Sequence, residues 1–229
     1  MAVYLAVDIG ASSGRHILGW VEGGNLRLEE IYRFENALVR KNGRLCWDVE
    51  TLTEEVLQGL ERCRELSKIP DSIGIDTWAV DFVLLDETGS LLGDAVAYRD
   101  SRNLGMDRFV EEMIPFSELY AKTGIQKQEF NTIYQLMAVK RQEPELINSA
   151  ERFLMIPEYL TYRLTGKMEN EYTNATTTGL VNAKTNDWDW DLLDRLGYPR
   201  KLFHPLRMPG YAVGDLTPQV EKRVGFNCS

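Results

Sequence analysis

Four short polar stretches in this 229-residue chain have residue types and spacings that could do chemistry. The first is Asp8-Ile9-Gly10-Ala11-Ser12-Ser13-Gly14-Arg15, a DxGxxSG turn. It is neither GxGxxG nor the Walker loop, yet it has the physics of a phosphate cradle. Small residues let backbone N–H groups close around an oxyanion. Ser12 and Ser13 add hydroxyl donors, Arg15 offers a cation, and Asp8 could hold a magnesium ion through water, because a hard cation prefers carboxylate oxygen. The plainer alternative is a glycine-rich hairpin that only turns. An acid at the end of a buried strand beside that turn needs a reason to be there, which favours the cradle. The second stretch is Asp76-Thr77-Trp78-Ala79-Val80-Asp81-Phe82. Its carboxylates, hydroxyl and flat aromatic face suit a sugar, with its many OH groups and its apolar C–H face. The alternative is a packed Trp with capping acids. Tyr98-Arg99-Asp100-Ser101-Arg102 reads as an exposed salt-bridge cluster. Glu171-Tyr172-Thr173-Asn174-Ala175-Thr176-Thr177-Thr178 reads as a polar loop with a helix cap. Trp47, Trp188 and Trp190 read as packing residues.

These stretches need elements to position them. Val3, Leu5 and Val7 alternate with Tyr4 and Ala6 and stop at Asp8, as a strand does. A second strand runs from Arg15 to Val21. Gly23-Gly24-Asn25 signals a hairpin into a third strand, with an irregularity near Glu29-Glu30. Thr51-Leu52-Thr53-Glu54 has the form of a capping box. Leu52, Val56, Leu60, Cys63 and Leu66 then follow at helical spacing, and Pro70-Asp71 ends the helix. Ser72 to Asp76 reads as a short buried strand. Coming after a crossover helix, it should lie parallel to the first strand. That order places Asp8, and the break after Asp76, at strand carboxyl ends, where open α/β sheets bind ligands. Beyond it, Val80 to Leu85 and Leu91 to Tyr98 read as a second hairpin. Residues 107–166 read as mostly helical, with a strand at 153–156 feeding a helix opened by Pro157. Residues 174–178 read as a loop. Short helices follow from Trp188 to Leu196 and from Thr217-Pro218 to about Gly225. Asn131 and Thr132, just before a helix, are candidates to face the cleft.

Composition narrows the partners. Net charge is −9, and hydrophobic residues make up 44% of the chain, enough for a folded core. The acidic balance argues against nucleic acid and anionic membranes, which need basic patches. Cys46, Cys63 and Cys228 are odd in number and show no CxxC spacing, as expected in a reducing cytoplasm. His16 and His204 are the only histidines, so a histidine zinc site is not expected. No signal peptide or span of about 20 apolar residues is evident.

Together, VDIGASSGR (Val7 to Arg15), DSIGIDTWAVDFVLLD (Asp71 to Asp86), AYRDSRN (Ala97 to Asn103), YRLTGK (Tyr162 to Lys167) and EYTNATTTGLVN (Glu171 to Asn182) resemble the FGGY carbohydrate kinases. DxGxxS alone marks only the wider sugar kinase/actin/Hsp70 superfamily. With DTWAVDF and EYTNATTT the likeness is to the rhamnulokinase group, over essentially the whole chain. The resemblance implies an α/β, RNase H-like lobe of the actin/hexokinase type. It would have a mixed five-stranded sheet, helices on both faces and an inserted hairpin and helical region. Residues 1–229 would form the N-terminal, sugar-binding lobe, facing an ATP-binding lobe not contained here. The implied reaction moves the γ-phosphoryl of ATP to the 1-hydroxyl of L-rhamnulose with Mg2+. Asp8, Gly10, Ala11, Ser12, Ser13, Gly14 and Arg15 would serve the nucleotide phosphates, with Asp8 supporting the metal. Asp76, Thr77, Trp78, Ala79, Asp81, Arg99 and Asn174 would face the sugar. Ala79 stands where relatives are expected to have glycine, which bears on sugar preference. The family's proton-accepting Asp, in a His-Asp-Thr segment, is expected beyond Ser229, so the chain alone should be inactive, with apolar surface exposed where the second lobe would pack. Other readings are a kinase of xylulose, fuculose or glycerol type, a non-catalytic sugar-binding fragment, or another actin-like ATPase.

Overall fold

A computed structural model describes residues 1–229. The chain opens with three long strands, β1 (Val3–Ile9), β2 (Ser13–Glu22) and β3 (Asn25–Glu35), then a small pair, β4 (Leu38–Lys41) and β5 (Arg44–Trp47). Helix α1 (Val49–Glu65) crosses over to β6 (Ser72–Thr77). An inserted region follows: β7 (Phe82–Leu85), β8 (Leu91–Leu92), β9 (Ala95–Val96), α2 (Met106–Met113), α3 (Phe116–Thr123), α4 (Thr132–Gln142), α5 (Pro144–Ser149) and β10 (Arg152–Met155). The remainder is α6 (Ile156–Thr165), β11 (Asn170–Glu171), α7 (Tyr172–Thr176), β12 (Val181–Asn182), β13 (Asp187–Trp188), α8 (Trp190–Leu196), β14 (Leu206–Arg207) and α9 (Pro218–Val224).

The main sheet has the order β3-β2-β1-β6, with β6 parallel to β1 and the other neighbours antiparallel. The expected α/β lobe is present, but this sheet carries four strands, not five. The short strand β11, after α6, pairs with β14 outside this sheet. Nor are both sheet faces covered. Leu5, Val7, Ile9 and Leu18 share one core with Val56 and Leu60 of α1, Leu160 of α6 and Val224 of α9. On the other face Tyr4 is 54%, Leu26 67% and Leu28 66% exposed. The irregularity expected in β3 is real: His16 faces Tyr32 and Ile17 faces Glu30, so Ile31 is the extra residue.

Three local readings need correction. Helix α1 starts one turn before the capping-box sequence, because the Asp48 carboxylate already accepts the Thr51 N–H. The run after Leu91 splits: β8 pairs with β7, while β9 turns away to pair with β5, with Gly93 at φ +72° between them. Residues 172–176 form a helical turn rather than a loop, because the Glu171 side chain caps the N–H groups of Thr173 and Asn174.

Two close contacts under the sheet fix its geometry. His16 is fully buried, with Nε2 3.2 Å from the Val56 carbonyl, and its ring lies so close to Gly59 that a Cβ there would sit 2.1 Å from it. The ring of Phe34 lies against Gly14 in the same way, 2.1 Å from where a Cβ would be. Burial lowers the His16 pKa from 6.5 to about 4. The folded state thus favours neutral His16, and this stability is complete above pH 6.5 and lost as pH falls through 4. Urea unfolding of the chain should weaken by about 3 kcal/mol from this group across that window, and His16→Gln should flatten the slope. Gly14→Ala should cost about 1–3 kcal/mol through the Phe34 clash. Gly10→Ala, whose methyl would meet only the Ser13 carbonyl at 3.6 Å, should change stability by less than about 0.5 kcal/mol.

Candidate functional site

The parallel register of β1 and β6 sets Asp8 directly beside Asp76. The antiparallel register of β1 and β2 sets Arg15 on the other side of Asp8. Neighbours in register point to the same sheet face, so the three side chains form one row at the strand ends. Arg15 donates to Asp8 Oδ2 through Nε at 2.9 Å and Nη2 at 2.8 Å, leaving Oδ1 without a protein donor. The Asp76 carboxylate is exposed and accepts no hydrogen bond from the chain.

The turn between β1 and β2 is braced by its carbonyls. Gly10 N–H donates to Ser13 O at 2.8 Å; Asn36 donates through its N–H to Ser12 O at 3.0 Å and through Nδ2 to Gly10 O at 2.8 Å. The N–H groups of Ala11 and Ser12 have no acceptor within the chain, and Gly10, Ala11 and Ser12 are exposed. Two free N–H donors in a rigid, exposed turn suit an oxyanion. The two glycines differ in reason: Gly14 is small because of Phe34 beneath it, while nothing in the chain crowds Gly10.

A cavity of about 510 Å³ opens beside Asp76. Asp76, Thr77 and Ala79 form one wall, Pro157 and Thr161 of α6 another, and Thr173, Asn174 and Thr177 a third; residues 207–213 close the far side. Most of its lining residues are polar, with the cations Lys167 and Arg207 among hydroxyls, amides and carboxylates, so a polyol would meet hydrogen-bond partners there. Asn174 Nδ2 is buried without a partner. Beneath the cavity Glu158 accepts from Met155 N at 2.8 Å, Asn170 Nδ2 at 2.8 Å and Glu171 N at 2.9 Å. Burial pushes its pKa up to about 7, against the pull of those donors. Glu158 thereby ties the start of α6 to the 170–174 wall.

Asp76, Thr77, Ala79 and Asn174 therefore meet around one cavity, with Asp8 adjoining. Other expected site residues do not join them. Asp81 is 1% exposed, and its carboxylate accepts from Trp47 Nε1 at 2.6 Å, Trp78 Nε1 at 3.0 Å and Gln135 Nε2 at 2.9 Å. Burial raises its pKa. It braces the loop instead of facing a ligand. Trp78 lies tilted against Trp47, with ring centroids 4.0 Å apart and 36° between the planes, and lines no part of the cavity. Arg99 lies over the Tyr98 ring, away from the cavity. Asn131 and Thr132 are buried, because they hold neighbouring backbone and do not line the cleft. Asp100 is buried too, accepting from Leu45 N and Arg102 N, so the exposed cluster expected there is partly internal. Val80 has φ +68°, a strained conformation for a β-branched residue, costing on the order of 1–3 kcal/mol.

Asn36 and Glu158 carry no site signal in the sequence. An Asn just past a strand and a Glu in the first turn of a helix look like ordinary caps, and only the fold shows what they hold. No group of three or more His, Cys, Asp or Glu side chains is arranged to hold a metal ion. The fit to magnesium is that of Asp8 Oδ1 with water and phosphate oxygens, the kind of shell magnesium keeps.

The comparisons agree with this geometry. The sequence model of the FGGY family of carbohydrate kinases, N-terminal domain, matches residues 3–229. The chain is 52% identical over 223 residues to a rhamnulokinase of Halalkalibacterium halodurans, covering 97% of this chain and 48% of that protein. It is 51% identical over 223 residues to a rhamnulokinase of Oceanobacillus iheyensis, covering 97% and 47%. A ligand-bound xylulose kinase from Lactobacillus acidophilus shares the fold at TM-score 0.86 and 22% identity, covering 99% of this chain and 46% of that one. The chain thus spans about half the length of the curated relatives it matches. Since the family match runs unbroken through the glycine–serine turn, the paired strand ends and the cavity loops, the chain belongs to the FGGY family of carbohydrate kinases, as their N-terminal domain.

Proposed function

We propose that this chain is the sugar-binding lobe of an ATP-dependent ketose kinase that phosphorylates L-rhamnulose at its 1-hydroxyl. The observation that carries the reading is the shared edge at Asp76. One of its neighbours is the polyol-sized cavity, and the other is Asp8 beside the turn with two free N–H donors. A phosphoryl donor and a sugar acceptor can thus meet at one place. The relatives named rhamnulokinase, at about half identity over this stretch, support L-rhamnulose over other ketoses.

On this reading Asp76, Thr77 and Asn174 bind sugar hydroxyls, and Ala79 presents its methyl to the ring. The N–H groups of Ala11 and Ser12, with the Ser12 and Ser13 hydroxyls, receive phosphate oxygens. Arg15 brings positive charge to the same edge, held in place by Asp8. Bound magnesium, with Asp8 as its protein neighbour, would neutralise phosphate charge. The stretch that relatives carry beyond the matched half would supply the adenosine pocket and the acceptor of the sugar's proton. Phosphoryl transfer works by positioning in a closed, water-poor site. One lobe alone therefore gives no appreciable turnover. Dependence on ATP and three free, buried cysteines support a cytoplasmic protein.

A coupled assay on the complete kinase tests the reading: turnover should be fastest with L-rhamnulose among L-rhamnulose, L-fuculose, xylulose and glycerol. Preference for glycerol or xylulose would contradict the substrate, and ATP hydrolysis unaffected by any sugar would contradict the reaction class. Asp76→Asn should raise the KM for L-rhamnulose about tenfold or more, the loss expected for a charged hydrogen bond. Gly10→Ala should leave that KM alone and raise the KM for ATP severalfold, because on this reading an added methyl on the exposed turn crowds an approaching phosphate.

A further inference from the structure

In the cavity wall, Thr77 ends β6 in register with Ile9, whereas Ala79 lies beyond the strand. Immediately after Ala79, Val80 adopts φ +68°, and Asp81 N–H donates back to the Ala79 carbonyl at 2.9 Å, closing a tight kink. A β-branched residue does not hold that conformation unaided. The Val80 carbonyl accepts from Thr132 Oγ1 at 2.7 Å and from Gln135 Nε2 at 3.1 Å. Gln135 also donates to Asp81 Oδ1 at 2.9 Å and to the Phe130 carbonyl at 3.0 Å. With three acceptors around Nε2, its Oε1 is left buried and unpartnered, so its orientation is set by the loop it grips. Thr132 and Gln135 are both fully buried, sit one turn apart at the start of α4, and line no part of the cavity.

We propose that Thr132 and Gln135 are positioning residues that clamp the Val80 kink and so set the shape of the sugar-facing wall. The inference rests on the cavity being the sugar site. The clamp touches only backbone and the buried Asp81, so it acts on sugar binding through the loop. It has no route to the phosphate turn, which is braced separately by Asn36. Its effect is therefore on sugar affinity and on discrimination between ketoses, not on ATP.

The test is a double-substitution cycle in the complete kinase. Thr132→Val removes the hydroxyl at constant shape, Thr132→Ser keeps it, and Val80→Gly permits a positive φ without strain. Thr132→Val should raise the KM for L-rhamnulose at least fivefold and narrow its preference over L-fuculose, with the KM for ATP unchanged within twofold. Thr132→Ser should stay close to the unsubstituted enzyme. In the Val80→Gly background the penalty of Thr132→Val should shrink to less than half, because glycine no longer needs to be held. An equal penalty in both backgrounds, or equal changes in both KM values, would overturn the proposal. If Thr132→Val folds only in the glycine background, the hydroxyl is opposing strain at Val80, as the proposal requires. If it folds in neither, the hydroxyl serves the whole fold and the proposal falls. Should the unsubstituted enzyme accept a different sugar, the substrate reading fails, and the cycle is read on that sugar. Should it accept none, near-ultraviolet circular dichroism of the closely packed Trp47–Trp78 pair reads the same cycle. A signal lost in Thr132→Val and kept in the glycine background supports the clamp, and equal loss in both overturns it.

Discussion

The parallel pairing of β1 with β6 is the constraint on which the site depends. It brings two chain segments almost seventy positions apart into step, so that Asp8 and Asp76 end their strands side by side. A slip of one residue would turn one of them into the core, because side chains alternate between sheet faces. The register is enforced from beneath, where Leu5, Val7 and Ile9 pack onto α1 and α6, and where His16 and Phe34 fit against glycines whose added Cβ would clash. The chemistry at the strand ends is thus held in place by apolar contacts that take no part in it.

Above that frame the polar groups divide into those that brace and those left free. Asn36 occupies the carbonyls of the glycine turn and leaves two N–H groups unused. Glu158 satisfies three donors beneath the cavity, and Asp81 satisfies three more behind its wall. Buried polar groups of this kind are costly unless fully partnered, and once partnered they make a loop rigid. What stays free is the exposed Asp76 carboxylate, the Ala11 and Ser12 N–H groups, and the buried, unpartnered Asn174 Nδ2 at the cavity wall. A rigid shell with unspent donors and acceptors at one edge is what selective binding of a small polar molecule needs.

Much of this was legible in the sequence. Alternation from Val3 to Val7, the glycine–serine turn, the crossover helix and the Ser72–Asp76 strand gave the sheet order, and the strand-end rule then gave Asp8 and Asp76. The failures share a cause. Trp78 and Asp81 lie in the right loop, but period and composition do not show which side of a kink a side chain takes, and Trp47 had already claimed both. Asn131 and Thr132 are polar at a helix start, as cleft residues can be, yet Thr132 turns inward to the strained Val80 carbonyl and Asn131 accepts from the Gln128 N–H. The uncovered sheet face was also hidden, because Tyr4, Leu26 and Leu28 look like core residues until the fold shows nothing packed on them.

The central claim is that sugar is held at the Asp76 edge of this lobe. Backbone amide chemical shifts of the isotope-labelled chain, titrated with L-rhamnulose, test it most directly. The account predicts saturable shifts at Thr77, Ala79, Thr173 and Asn174, with the amides of the distant Trp190–Leu196 helix unmoved. Shifts confined to residues outside the cavity, or none at millimolar sugar, would contradict it.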